Sequence, residues 1–180
     1  MLLDAQRSLL LIVDVQQALL PAMADPGRVA RGAAILMKAA SRLEIPLLVS
    51  EQYPRGLGPT VPELAELAPA GTVLPKLHFS CTDDPELGAR LRQSGRDQMV
   101  LAGIEAHVCV LQTALGLKAA GLHPFVVADA TASRTAASHQ AALARLGASG
   151  VAVGTVEMVV FEWLNRAGTP VFKDLSPLIK

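Results

Sequence analysis

Residues Gln98–Asp129 read QMVLAGIEAHVCVLQTALGLKAAGLHPFVVAD, and the order of patterns in this stretch decides the fold class. QMVLAG is a short apolar run that ends on glycine. HVCVLQTALGLKAAG is too long for a typical strand and closes on Gly121, as helices commonly do. HPFVVAD returns to a short apolar run. Neither short run alternates apolar with polar residues, which is how strands covered on both faces read. Strand, helix and strand within roughly 30 residues form a parallel βαβ unit.

The same alternation extends in both directions. SLLLIVDV (Ser8–Val15), PLLVS (Pro46–Ser50), TVLPK (Thr72–Lys76) and GVAVG (Gly150–Gly154) add four strands. Between and after them lie helical patterns at Gly27–Glu44, Asp84–Gly95, Ser138–Gly150 and Val156–Gly168. Asp84 and Pro85 form a cap and first turn, and Gly95 a stop. The repeat predicts an α/β, three-layer αβα architecture with a six-stranded, mainly parallel sheet, and residues 1–180 as a single domain. The proline- and glycine-rich stretch Ser50–Gly71 is the longest irregular segment, and loops of that length commonly carry function.

Composition narrows the function classes. The chain has 180 residues, of which 51% are hydrophobic, enough for a substantial core. Lys plus Arg number 16 and Asp plus Glu number 16, so no excess of positive charge favours nucleic acid or an anionic membrane. The longest apolar run, Leu9–Val13, is too short to span a bilayer. No secretory leader is read, and a cytoplasmic location is expected. Zero net charge, with apolar late segments at Met158–Leu164 and Ser176–Ile179, predicts a homo-oligomer, most simply a dimer.

In open parallel sheets, ligands bind beyond the C-terminal strand ends. Asp14 ends the first strand, Lys76 the third, and the fourth leads into the turn before Cys109. An acid, a base and a thiol on one rim can activate a nucleophile, the carboxylate taking the thiol proton and the ammonium favouring the thiolate. Each residue also has an ordinary reading: Asp14 as a turn cap, Lys76 as a solvated loop charge, Cys109 as a small core residue.

These residues carry a resemblance. LLLIVDVQ with Asp14, KLHFS with Lys76, GIEAHVCV with Cys109, VVADATASR (Val126–Arg134) and TVEMVVFEWL (Thr155–Leu164) resemble, in this order, the isochorismatase-like cysteine hydrolases. SEQYPRGLGPTVPEL and GIEAHVCVLQTAL are most similar to the isochorismatase domain-containing branch. The resemblance implies strand order 3-2-1-4-5-6 and a catalytic set of Asp14, Lys76 and Cys109. It further implies a non-proline cis peptide at Ile104–Glu105 and an oxyanion hole from the backbone amides of Glu105 and Cys109. The implied activity is cleavage of a C–N bond in a small amide-type molecule through a covalent intermediate, without a cofactor.

Departures from the family's better-known members matter as much. Nicotinamidases carry an Asp-x-His metal site after the second strand, where this chain reads SEQYPRGLG without histidine. His78, His107, His123 and His139 show no ligand spacing, so no metal is expected. Glu105 stands where many relatives have a small or hydroxyl residue, and an inward carboxylate there would disfavour anionic substrates. Gln16, Tyr53, Leu57, Phe79 and His107 are candidate pocket walls. Asp129 and Arg134 are read as organising a loop or a subunit contact. The competing readings are a non-catalytic oligomer that keeps the fold, and a redox-sensing thiol with Cys81 as the resolving partner.

Overall fold

The computed structural model describes residues 1–179. Six strands, β1 (Ser8–Val13), β2 (Leu47–Gln52), β3 (Val73–Lys76), β4 (Gln98–Ile104), β5 (His123–Ala132) and β6 (Ala152–Gly154), form one sheet. Their order is β3-β2-β1-β4-β5-β6, and every neighbouring pair is parallel. The helices are α1 (Pro26–Arg42), α2 (Pro54–Leu57), α3 (Pro62–Ala65), α4 (Pro85–Gln93), α5 (Leu111–Ala119), α6 (Ala136–Ala148), α7 (Val156–Leu164) and α8 (Pro170–Leu175). Fold class and strand order are as the sequence reading expects.

β1 shows why its sequence is apolar without a break. Leu10 and Ile12 point to the layer holding α1, α7 and α8, while Leu9, Leu11 and Val13 point to the layer of α4, α5 and α6. Alternate side chains leave a strand on opposite faces, and here both faces are covered. Full burial of each such side chain contributes about 1.5–3 kcal/mol. On α1, Val29, Ala33, Leu36, Met37 and Ala40 recur at helical spacing and are buried. The Asp25 side chain accepts from the Arg28 N–H at 3.1 Å and fixes where that helix begins.

β1 and β4 lie side by side, with Val13 opposite Gly103. The chain leaves β1 towards β2 and leaves β4 towards β5, so a crevice opens above this pair. Gly103 has φ +115°, and a Cβ there would collide with the Val13 backbone. Only glycine allows the two strand ends to approach this closely.

Three local features differ from the sequence reading. β5 does not stop at Asp129 but runs to Ala132, with a register shift against β4 between Leu101 and Gly103. Asp129 instead accepts from the Val156 N–H at 2.8 Å and holds the start of α7. The segment bearing Cys109 is a π-helical turn, Ala106–Val110, before α5 begins. α8 was not anticipated; it is capped by Thr169 and opened by Pro170, but is too short for its periodicity to be seen. Among the described residues, no helix is long and apolar enough to cross a membrane.

Candidate active site

Three strand ends deliver charged and polar groups to the crevice. Asp14 follows β1 directly and has φ +53°, a left-handed conformation that Asp tolerates better than most residues. Its N–H donates to the Ser50 carbonyl at 3.1 Å, tying the bend to β2. Its carboxylate is wholly buried; Oδ1 accepts from the Ser50 hydroxyl at 2.6 Å and Oδ2 from Lys76 Nζ at 2.8 Å. Lys76, the last residue of β3, is buried too, and its ammonium faces Gln52 Oε1 at 2.6 Å and the carbonyls of His78 and Phe79, each at 3.2 Å. Desolvating both charges costs several kcal/mol per ion. The surrounding hydrogen bonds offset that cost, since a buried ion pair persists only where its remaining donors and acceptors are satisfied.

The buried Cys109 lies close enough to this pair for both charges to act on its thiol. Burial, then the Asp14 charge, push the thiol up to about 12, although Lys76 pulls the other way. Burial and Asp14 thus favour the neutral thiol, against the pull of Lys76, whose ammonium also pairs with Asp14. Burial pulls Lys76 itself down, but Asp14, Cys81 and Cys109 together outweigh it, leaving the ammonium above its ordinary value. A carboxylate beside a thiol can take its proton as the sulfur attacks.

The Ile104–Glu105 peptide is cis. Glu105 accepts at its carbonyl from the N–H groups of Val108 at 3.1 Å and Val110 at 3.2 Å, so it anchors the π-helical turn. Its buried carboxylate does not stand alone: Arg134 donates to it from Nε at 3.0 Å and Nη2 at 3.1 Å. His107 is half-buried, with Nδ1 2.9 Å from the Ser133 hydroxyl. It borders a hollow of about 470 Å³ with Ser80 and Arg145.

The wall candidates of the Ser50–Gly71 loop divide. Tyr53 is exposed, has φ +38°, and borders a hollow of about 330 Å³ against Lys76. Phe79 is exposed and Leu57 half-buried. Gln16, in contrast, does not face a substrate. It is wholly buried, its amide nitrogen donating to the carbonyls of Gln52 at 3.0 Å and Gly58 at 2.7 Å, and its oxygen accepting from the Gln52 N–H at 2.7 Å. Gln16 braces the loop; a glutamine two residues after a catalytic-looking aspartate reads the same in sequence whichever way it points. Glu51 assists, accepting from the Thr60 N–H at 2.7 Å and hydroxyl at 2.8 Å.

Ser50 and Gln52 were missed. Both lie at the end of β2, so the strand-end search applied to β1, β3 and β4 would have found them. Cys81 is buried, with its N–H bonded to the Thr113 hydroxyl at 2.9 Å. Burial, then Asp14, push that thiol up to about 11. Among the described residues, no group of three or more His, Cys, Asp or Glu side chains is placed to hold a metal ion.

This geometry coincides with a family match over most of the chain. Residues 8–158 match the model of the isochorismatase domain. The chain belongs to the isochorismatase family of hydrolases. Isochorismatase domain-containing protein 1 of Danio rerio is 39% identical over 99% of this chain, which spans 62% of that longer protein. The MAR1 ribonuclease from Caenorhabditis elegans superposes with a TM-score of 0.93 at 33% identity, covering 99% of this chain and 92% of that one. YcaC from Pseudomonas aeruginosa, described with hexane-2,5-diol and covalent acrylamide, superposes with a TM-score of 0.92 at 25% identity, covering 98% and 91%.

Proposed function

We propose that this family member is a cofactor-independent cysteine hydrolase that cleaves a C–N bond of a small amide-type molecule. The observation that carries this reading is the buried Cys109 beside an Asp14 carboxylate that is itself clamped by Lys76 and Ser50. Cys109 Sγ forms a bond to the carbonyl carbon while its proton passes to Asp14. The backbone amides of Glu105 and Cys109 stabilise the oxyanion. Collapse breaks the C–N bond, and Asp14 returns the proton to the departing nitrogen. Water then attacks the thioester, giving its proton to Asp14; the acid leaves and the thiol is restored. The covalent acrylamide on the Pseudomonas neighbour fits a reactive group on this fold.

The ribonuclease activity named for the Caenorhabditis neighbour is a different chemistry. The even balance of 16 basic and 16 acidic residues gives a polyanion no electrostatic advantage. Two further readings accompany the main one. Residues 1–180 act as one domain, supported by a single sheet that takes in every strand. The chain forms homo-oligomers, supported by the exposed apolar side chains of Met158 and Phe161 on α7 and of Val153 on edge strand β6; light scattering that reports a monomer at micromolar concentration overturns this. Two free cysteines fit a reducing, cytoplasmic setting.

The deciding experiment is ammonia or amine release from a panel of small amides, ureides and lactams. Cys109→Ala is expected to abolish release from any compound that wild type cleaves, with a stability change small enough to retain the fold. Release persisting in Cys109→Ala would remove the nucleophile from the mechanism.

A further inference from the structure

Two charge pairs stand at the C-terminal ends of β1 and β4, where Asp14 and Glu105 follow the strands directly. Asp14 and Lys76 form one, with no side-chain exposure on either partner. Glu105 and Arg134 form the other: the carboxylate side chain is 8% exposed and the guanidinium 65% exposed. Glu105 follows the last residue of β4 and stands four positions before Cys109 on the turn that carries the thiol. Arg134 lies just beyond β5, beside Ser133, whose hydroxyl meets His107 from the same turn. The second pair thus sits on the β4–β5 side of the nucleophile.

We propose that Glu105 and Arg134 act together as a charge gate that restricts the Cys109 site to uncharged substrates. This rests on Cys109 being the nucleophile. Arg134 is an exposed cation on that side, and a carboxylate-bearing substrate would pair with it if it were free. Glu105 occupies it with two hydrogen bonds, through Nε and Nη2, in the fork geometry that a substrate carboxylate would otherwise take. Lys76 is likewise closed to an anion, because Asp14 and three oxygen acceptors surround its ammonium. An anion entering the crevice meets the Asp14 and Glu105 carboxylates with neither counter-cation available, and loses its hydration without replacement. A neutral amide loses far less. Specificity here comes from an arrangement that disfavours the wrong charge, as much as from contacts with the right molecule.

The gate is testable without knowing the physiological substrate. Iodoacetamide and iodoacetate alkylate thiols by the same displacement, the Cys109 sulfur forming the new C–S bond as iodide leaves, and they differ in carrying a neutral amide or a carboxylate. The readout is the ratio of the two labelling rates at Cys109, followed by peptide mass spectrometry and divided by the same ratio for free glutathione. Any change in thiol reactivity cancels in this ratio. Wild type is expected to disfavour iodoacetate relative to glutathione. Glu105→Gln frees the guanidinium and should shift the ratio towards iodoacetate by about tenfold, the scale of one short-range charge interaction. Glu105→Asp keeps the charge and should stay near wild type. Arg134→Gln leaves Glu105 without its counter-charge and should shift the ratio further against iodoacetate.

A ratio unchanged in both Glu105→Gln and Arg134→Gln overturns the gate while leaving the nucleophile intact. Failure of iodoacetamide to label Cys109 under any condition that labels a denatured control overturns the nucleophile, and the gate falls with it. If Arg134→Gln does not fold, the Glu105→Gln and Glu105→Asp comparison decides alone.

Discussion

The two ends of β1 carry the same chemistry in opposite surroundings. Arg7, just before the strand, pairs with Asp97, just before β4. Asp14, just after the strand, pairs with Lys76, at the end of β3. The Arg7 and Asp97 side chains are 48% and 42% exposed, whereas Asp14 and Lys76 show no side-chain exposure. A cation and a carboxylate in contact therefore do not by themselves mark a site. What separates the two ends is that water can replace the partner at one and cannot at the other.

Breaking the buried pair should have the largest effect. Lys76→Met leaves the Asp14 carboxylate buried without its cation and is expected to cost about 3–5 kcal/mol of stability, read from urea unfolding. Asp14→Asn should also remove activity, since an amide cannot accept the thiol proton. The double variant Asp14→Asn with Lys76→Met should recover part of the stability and none of the activity, because losing both charges is less costly than stranding one. Additive losses in that cycle would mean the pair is not a unit.

The pH dependence sharpens the same contrast. Cys109 and Cys81 are pushed up to about 12 and 11 from an ordinary thiol value of 9.0. The native state thus holds both protons more tightly than the unfolded chain. The stabilisation is fully present below pH 9 and is lost as pH rises from there towards the folded values. The raised Lys76 acts in the same direction. Wild type should therefore lose stability steeply above about pH 9, and Cys109→Ala should flatten part of that slope in denaturant titrations across the range. A slope unchanged by Cys109→Ala would mean the thiol is not held neutral by the fold.

How much of this was legible beforehand depended on whether strand placement or side-chain direction was needed. Asp14 and Lys76 could be placed because strand ends follow from apolar runs, and ligands gather at those ends. Cys109 was found for the same reason. The balance of charges on its thiol is not legible in sequence, because the effect of Lys76 depends on what else the ammonium touches, and Gln52 Oε1 at 2.6 Å belongs to a neighbouring strand. Gln16 reads as a wall in sequence, which records its position and not the Gln52 and Gly58 groups that consume its amide. The direction of Glu105 depends on Arg134, 29 residues later, a pairing that no local pattern encodes.

The smallest effect belongs to the exposed pair. Asp97 is held below its ordinary value by the Arg7 hydrogen bond, and Arg7 above its own by the same bond, yet both remain largely in water. The Asp97 contribution is present at neutral pH and is lost as pH falls through its lowered value. The start of β1 does not depend on it: the Gln98 N–H donates to the Arg7 carbonyl at 3.1 Å, and the Ser8 hydroxyl donates to the Asp4 carbonyl at 2.7 Å. Both bonds survive removal of the Arg7 side chain. His123, with Nε2 3.9 Å from Asp97, can supply part of the lost charge when protonated. Arg7→Ala should therefore leave amide cleavage unchanged and shift the urea midpoint only slightly, with the shift vanishing in high salt because exposed charges are screened. A loss comparable to that of Lys76→Met would mean that burial is not what distinguishes the two ends of β1, and the argument from the buried pair to the catalytic centre would lose its foundation.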